Sequence, residues 1–142
     1  MRIRDILSGK GFDVVVIKPE ASVNELLRLL RDHNVGSVVV SRDGRVIDGI
    51  VTERDVVRRL ADGTDFLERP VAELMTTAVR VCTFADSVDS LMHTMTNERI
   101  RHVPVVDKDG LLIGLVSIGD IVKSHVTEIE FALDQLEGYV RS

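Results

Sequence analysis

The chain is 142 residues long, 44% hydrophobic and 29% charged, with a formal net charge of −5. That make-up is globular, and with no Lys/Arg block it argues against unspecific nucleic-acid binding, leaving only a local basic pocket open. Cys82 is the single cysteine, which excludes an intrachain disulfide and a cysteine-built zinc site.

A β-branched run at 14–17, closed by Lys18-Pro19, predicts a buried strand. Ser22 then opens a helix, with Glu25 placed for a capping box and Val23, Leu26, Leu27 and Leu30 on one face. Asn34 and Gly36 stop it. Residues 37–40 read as a second strand and 46–51 as a third, joined by the turn Arg42-Asp43-Gly44. A short helix is expected from Glu53 to Ala61, with Val56, Val57 and Leu60 inward. Asp62-Gly63 ends it, and residues 64–70 read as a linker. The second half repeats this course: a strand at 79–82, a helix at 87–98, and strands at 103–106 and 111–116 around Lys108-Asp109-Gly110. A helix begins after Ser117. On it Val122, Val126, Ile129, Leu133, Leu136 and Val140 keep heptad spacing. That stripe either covers the protein's own core or forms a seam between two chains. The helix outruns the repeat unit, which favours the seam.

The two halves are copies. Gly49-Ile50-Val51-Thr52-Glu53-Arg54-Asp55 returns 65 positions later as Gly114-Leu115-Val116-Ser117-Ile118-Gly119-Asp120. The same offset lays Ser22-Val23 on Ser87-Val88, Leu26 on Leu91, Val38 on Val103 and Val40 on Val105. Repeats decide architecture, and a half of roughly 60 residues is marginal alone. The expected fold is therefore α/β, in the α+β sense: two β-α-β-β-α repeats packed as a pseudo-two-fold pair, with an extended C-terminal helix. No run of about 18 apolar residues occurs and the N-terminus lacks an apolar signal core, so no membrane span is expected and the expected location is cytoplasmic.

Further markers are Arg4-Asp5-Ile6-Leu7 and Val71-Ala72-Glu73-Leu74-Met75-Thr76, which open the repeats, and Ile100-Arg101-His102-Val103-Pro104-Val105-Val106. With the two Gly-to-Asp motifs, this pattern resembles the cystathionine β-synthase (CBS) domain, two of which in tandem form a Bateman module. The resemblance spans roughly Ile3 to Lys123. It implies CBS domains at 1–63 and 71–127, a linker at 64–70 and a helical extension at 128–142. It implies a regulatory sensor of adenosine compounds (AMP, ADP, ATP, NAD(H) or S-adenosylmethionine) bound in clefts between the repeats. It also implies a homodimer and a regulated partner protein. No catalytic domain accompanies the pair, so no enzyme activity and no catalytic cofactor are expected. By carry-over, Asp55 and Asp120 hold ribose hydroxyls, and Thr52 and Ser117 hold phosphate or ribose oxygens.

Those residue types suit such a ligand. An ionised carboxylate offers two acceptor oxygens to a vicinal diol. Thr52 and Ser117 stand at helix N-termini, where free N–H groups and the helix dipole attract phosphate. Gly49 and Gly114 clear space beside the strand for a ligand. The same Thr-x-x-Asp and Ser-x-x-Asp spacing reads as a capping box needing no ligand; a cap exposed at a cleft satisfies both readings. Arg54 gives the first motif a phosphate partner where the second has Gly119. Arg101 and His102 are further phosphate candidates, with Lys18 and Lys123 behind them. Ile17, Val35, Val38 and Ile50 are candidate adenine walls in the first repeat, and Cys82, Ile100, Val103 and Leu115 in the second, with Pro104 a further candidate ligand contact. By their apolar character the same residues read first as core. The two sites are not expected to be equivalent.

Enzyme readings find no support. His33, His93, His102 and His125 have no metal spacing, and neither a nucleophile–base pair nor a Gly-rich phosphate loop is visible. Cys82 reads as a buried, inert thiol. Two rival functions stand beside the sensor. One is a ligand-independent dimerisation or interaction scaffold, in which Thr52/Asp55 and Ser117/Asp120 only cap helices. The other is single-stranded RNA binding through a basic cleft, which the acidic charge disfavours.

Overall fold

The N-terminus folds onto the second repeat rather than the first. In the computed structural model, which describes residues 1–141, a helix α1 spans Ile3–Lys10. Ile3, Ile6 and Leu7 share one of its faces and are buried with Cys82, Val88, Leu91, Met95, Val103, Val105, Val116 and Ile121. Backbone bonds fasten it there: the Ile3 N–H donates to Asp86 C=O at 3.0 Å, and the Val88 N–H to Met1 C=O at 3.1 Å. The segment that opens the second repeat does the converse. Val71 joins the first core, with Leu74 and Met75 packed against it. The Val23 N–H donates to Arg69 C=O at 3.0 Å and the Val71 N–H to Ala21 C=O at 2.8 Å. Each repeat is thus completed by the opening segment of the other.

In the first repeat, β1 (Val16–Ile17) runs parallel to β2 (Ser37–Val40), which pairs antiparallel with β3 (Gly49–Thr52). In the second, β4 (His102–Val106) pairs antiparallel with β5 (Leu112–Ser117), with an irregularity between Val105 and Val106. Helices α2 (Val23–His33), α3 (Glu53–Leu60), α4 (Val88–Glu98) and α5 (Ile118–Arg141) complete the two α/β units. Residues Asp65–Glu68 and Val71–Glu73 form short 3-10 turns, and Phe66 of the first is buried.

Several expectations need correction. The strand expected at 79–82 is reduced to a single bridge from Cys82 to Val105: the Cys82 N–H donates to Pro104 C=O at 3.0 Å and its C=O accepts the Val106 N–H at 2.8 Å, while Val81 beside it is 47% exposed. The third strand starts at Gly49, not at 46. The Asp43 carboxylate accepts from the Arg45 and Val46 N–H groups at 2.8 and 2.9 Å, and the Ser41 hydroxyl from Gly44 at 2.9 Å. An aspartate binding its own following backbone keeps that segment in a turn. At α2 only half of the capping box forms: Ser22 Oγ accepts the Glu25 N–H at 3.2 Å. Val56 is buried as expected, but Val57 and Leu60 are 65% and 44% exposed and lie outside the core. The heptad stripe of α5 is likewise uncovered, at 47–76% exposure for its six residues, so it does not cover the protein's own core. Ser142, the end of the expected extension, lies outside the described residues.

The repeated glycines also have a different role from the one expected. A Cβ on Gly114 would lie 2.7 Å from Leu7 Cδ1, and one on Gly49 would lie 2.6 Å from Met75 Sδ and 2.8 Å from the Thr76 carbonyl oxygen. The space beside each strand is filled by the exchanged segment, not left for a ligand. Gly114→Ala and Gly49→Ala are each expected to destabilise by about 1–3 kcal/mol in denaturant unfolding. Gly49→Ala should cost more, because a backbone carbonyl cannot step aside as a leucine methyl can.

Candidate functional site

The two strand-to-helix junctions carry the candidate residues. Thr52 closes β3 in extended conformation and caps α3. Its Oγ1 accepts the Asp55 N–H at 3.3 Å, while Asp55 Oδ2 accepts the Thr52 N–H at 2.8 Å and the Thr52 hydroxyl at 3.1 Å. At the second junction Ser117 Oγ accepts the Asp120 N–H at 3.1 Å, and Asp120 Oδ2 accepts the Ser117 N–H at 2.9 Å. Reciprocal capping is therefore present at both. It engages one oxygen of each carboxylate. Among the described residues the other oxygen, Oδ1, has no hydrogen-bond donor in either case. A half-buried carboxylate with one free oxygen at a helix N-terminus keeps the capacity to accept a hydroxyl.

The second junction has a cation that the sequence reading missed. Lys10, at the end of α1, donates to Asp120 Oδ2 at 2.7 Å and to the Leu115 carbonyl at 2.9 Å. Only the exchange of α1 onto the second repeat brings it there, and nothing in the local pattern around Lys10 signals that contact. Arg54 and Arg101, from different repeats, meet at one cleft of about 270 Å³, together with Arg99, Met95, Ile100 and Ile118. Gly119 lies on the exposed first turn of α5; a Cβ there would be 3.6 Å from Ser117 Oγ.

His102 is not among the residues lining that cleft. Its ring faces Gly36 and Glu53: a Cβ on Gly36 would lie 3.4 Å from the imidazole and 3.3 Å from Glu53 Oε1. Burial pushes the His102 pKa down and the Glu53 carboxylate opposes it, with a net lowering. Ser37, which the 65-residue offset pairs with His102, holds the one buried side-chain polar atom without a partner among the described residues. Of the candidate adenine walls, Ile17 and Val38 belong to the first core and Cys82 and Val103 to the second. Pro104 is buried in β4, and Val35, Ile50, Ile100 and Leu115 keep partial exposure. Lys18 and Lys123 are exposed. Burial drives the Cys82 thiol up to about 12, so it stays protonated and unreactive at neutral pH. Among the described residues no His/Cys/Asp/Glu group could hold a metal, and no helix is long and apolar enough to cross a membrane.

Burial works against the charged form of Asp120, but the Lys10 ammonium and the Ser117 N–H outweigh it and hold the carboxyl below the usual range. A depressed folded pKa contributes stability that is complete above the unfolded value, about 3.9, and lost as pH falls through the folded value. Lys10→Met is therefore expected to cost about 0.2–1 kcal/mol near neutrality. It should also shrink the loss of stability below pH 4 in an acid titration of the unfolding midpoint.

Comparison with known proteins places this geometry. The CBS domain family model matches twice, at residues 3–62 and 71–126. The chain is 33% identical over 148 residues to a mitochondrial CBS domain-containing protein of Arabidopsis thaliana, covering 98% of this chain and 71% of the relative. A crystal structure of a CBS-domain-containing protein from Agrobacterium tumefaciens superposes with a TM-score of 0.84 at 41% identity, covering 88% of this chain and 99% of the other. A CBS domain protein from Pyrobaculum aerophilum complexed with AMP gives 0.75 at 30% identity, covering 84% and 89%. With both halves matched and the likeness running through nearly all of their elements, the chain belongs to the CBS domain family and carries two such domains in tandem.

Proposed function

We propose that the protein is a regulatory module that binds an adenosine compound between its repeats and passes that occupancy to a partner protein. The observation that carries this reading is the pair Asp55 and Asp120. Each is fixed by a capping box on one oxygen, and neither has a donor on the other among the described residues. The AMP complex of the Pyrobaculum aerophilum relative supports it. AMP, ADP, ATP, NAD(H) and S-adenosylmethionine form the ligand panel. No catalytic role attaches to these residues: Asp55 and Asp120 are acceptors, Thr52 and Ser117 orient them, and Cys82 is inert.

The assembly is a homodimer in this reading. Val57 and Leu60 on α3 and the stripe from Val122 to Val140 on α5 leave two apolar faces open to solvent. Contiguous apolar surface of that kind marks an interface, and heptad spacing suits a helical seam. Ile129→Glu with Leu133→Glu is expected to convert dimer to monomer in sedimentation velocity without unfolding the CBS pair. A monomeric wild type would refute the assembly.

One observation favours the scaffold alternative: both capping boxes are complete without a ligand. Thermal unfolding against the panel separates the two. A ligand confined to the native state stabilises it by about 2.7 kcal/mol at a hundredfold excess over its dissociation constant. Asp55→Ala with Asp120→Ala should lower stability by about 1 kcal/mol per lost cap and abolish the ligand-induced rise while the fold persists. No rise in nucleotide-free wild type would leave the scaffold reading.

A further inference from the structure

We infer that Met75 is an oxidation-sensitive key: a hydroperoxide that converts its thioether to the sulfoxide drives the side chain out of the notch at Gly49 and loosens the first repeat, while the notch of the second repeat, filled by Leu7, is unaffected. The inference rests on the exchanged segments alone and is independent of any ligand.

The two notches are alike and the two keys are not. The atoms closest to a Cβ on Gly114 all belong to Leu7, whereas a Cβ on Gly49 would meet Met75 Sδ at 2.6 Å, the Thr76 carbonyl oxygen at 2.8 Å and Met75 Cγ at 2.9 Å. The sulfur is thus seated over Gly49. A thioether takes up oxygen from mild oxidants; a leucine side chain does not. Leu7 is fully buried, with Ile3 and Ile6 of its own helix buried beside it. Met75 keeps partial exposure, and Thr76, Thr77 and Ala78 after it are exposed. The oxidisable key therefore sits at the rim of its core and the inert one inside.

The chemistry is a two-electron oxygen transfer. The Sδ lone pair attacks one peroxide oxygen and the O–O bond breaks. The proton of the attacked oxygen passes to the leaving one, which departs as water or an alcohol. Sulfur is oxidised, the peroxide is reduced, and the side chain becomes polar. A buried polar oxygen needs a donor, and among the described residues the notch has none to spare. The Ile50 N–H donates to Thr76 C=O at 3.0 Å, the Thr76 N–H to Ile50 C=O at 2.9 Å, and the Met75 N–H to Val71 C=O at 2.9 Å. The polar atom closest to the Gly49 position is the Thr76 carbonyl oxygen, itself an acceptor. The sulfoxide oxygen meets a second acceptor in a space already closed, so the side chain has to leave.

Its departure reaches β3. Gly49 opens that strand, Ile50 is tied to Thr76 by both of its backbone groups, and Thr52 ends the strand at the first junction. The other methionines are placed differently. Met1 is 52% exposed, Met92 packs beside the second core, and Met95 is 2% exposed within it. None of these three is seated on a glycine.

Hydrogen peroxide on the full chain tests this, with peptide mass mapping and the thermal unfolding midpoint read on the same samples. The midpoint is expected to fall by about 5 °C in step with the fraction of Met75 sulfoxide. Methionine sulfoxide reductase with a dithiol, which removes the oxygen as water, should restore it. Met75→Leu copies the key of the second repeat and should hold its midpoint in peroxide. Met75→Gln puts an unpartnered acceptor in the notch without any oxidant and should lower the midpoint as the sulfoxide does, which decides the matter should Met75→Leu disturb the fold. Met92→Leu should leave the peroxide response unchanged. Three results would overturn the inference: Met75 sulfoxide with an unmoved midpoint, a full peroxide response in Met75→Leu, or Met75 still reduced when the buried Met95 has oxidised.

Discussion

The structure depends on two side chains fitting into two missing ones. Leu7 fills the space left by Gly114, and Met75 the space left by Gly49. Through these contacts each repeat borrows its last apolar layer from the opening segment of the other. A half of this size could not bury enough surface alone. With the exchange, neither half keeps an intact core when the other unfolds, and the pair is expected to melt as one cooperative unit. The exchange also sets the electrostatics of the second junction, because it carries Lys10 onto Asp120.

The capping boxes and the candidate ligand residues are the same residues, and the geometry shows why the two roles are compatible. Capping needs one carboxylate oxygen and one hydroxyl lone pair. A carboxylate has two oxygens and about four lone-pair sites. The helix N-terminus therefore fixes Asp55 and Asp120 rigidly while leaving acceptor capacity unused. The junctions still differ. At the first, the Thr52 hydroxyl donates to Asp55; at the second, the Lys10 ammonium donates to Asp120 and neutralises the carboxylate. Duplicated sequence has produced two sites with the same acceptors and different charge.

Much of this was legible in the chain because the repeat offset reinforces every local signal. Helices α2 and α4, strand β2 and both strand-to-helix junctions stand where periodicity and caps put them. Most of the failures depended on contacts distant in sequence; the late start of β3 is local, a turn held by Asp43. Helix α1 has an apolar face, but nothing local tells which repeat it covers. The run at 79–82 keeps only Val79 and Val81 where its counterpart is β-branched throughout, and only Cys82 finds a backbone partner in the sheet. Val57 and Leu60 obey helical spacing but stay outside the core. Gly49 and Gly114 were rightly marked as places needing space; the occupant, a side chain rather than a ligand, was not legible. Of the basic cleft, Arg54 and Arg101 were recognisable as charges beside motifs, whereas their convergence with Arg99 required the fold.

The position of that cleft bears on how occupancy could be signalled. A ligand shifts a conformational equilibrium only by its difference in affinity for the two states. Asp55 and Asp120 each sit within a single repeat, so a ribose held there alone gains the same contacts whatever the angle between repeats. The arginine cleft is different: Arg54 belongs to the first repeat, and Arg99 and Arg101 to the second. A phosphate gripped by all three is sensitive to their separation, and charge–charge energies change steeply over a few ångströms. In the proposed function the ribose contacts supply attachment and the phosphate contacts supply coupling, which typically amounts to about 1–3 kcal/mol. The exposed faces of α3 and α5 lie on the helices that begin at these junctions. In the proposed function a change in repeat angle moves the apolar surface offered to a second chain or a partner, within what Leu7 and Met75 can follow.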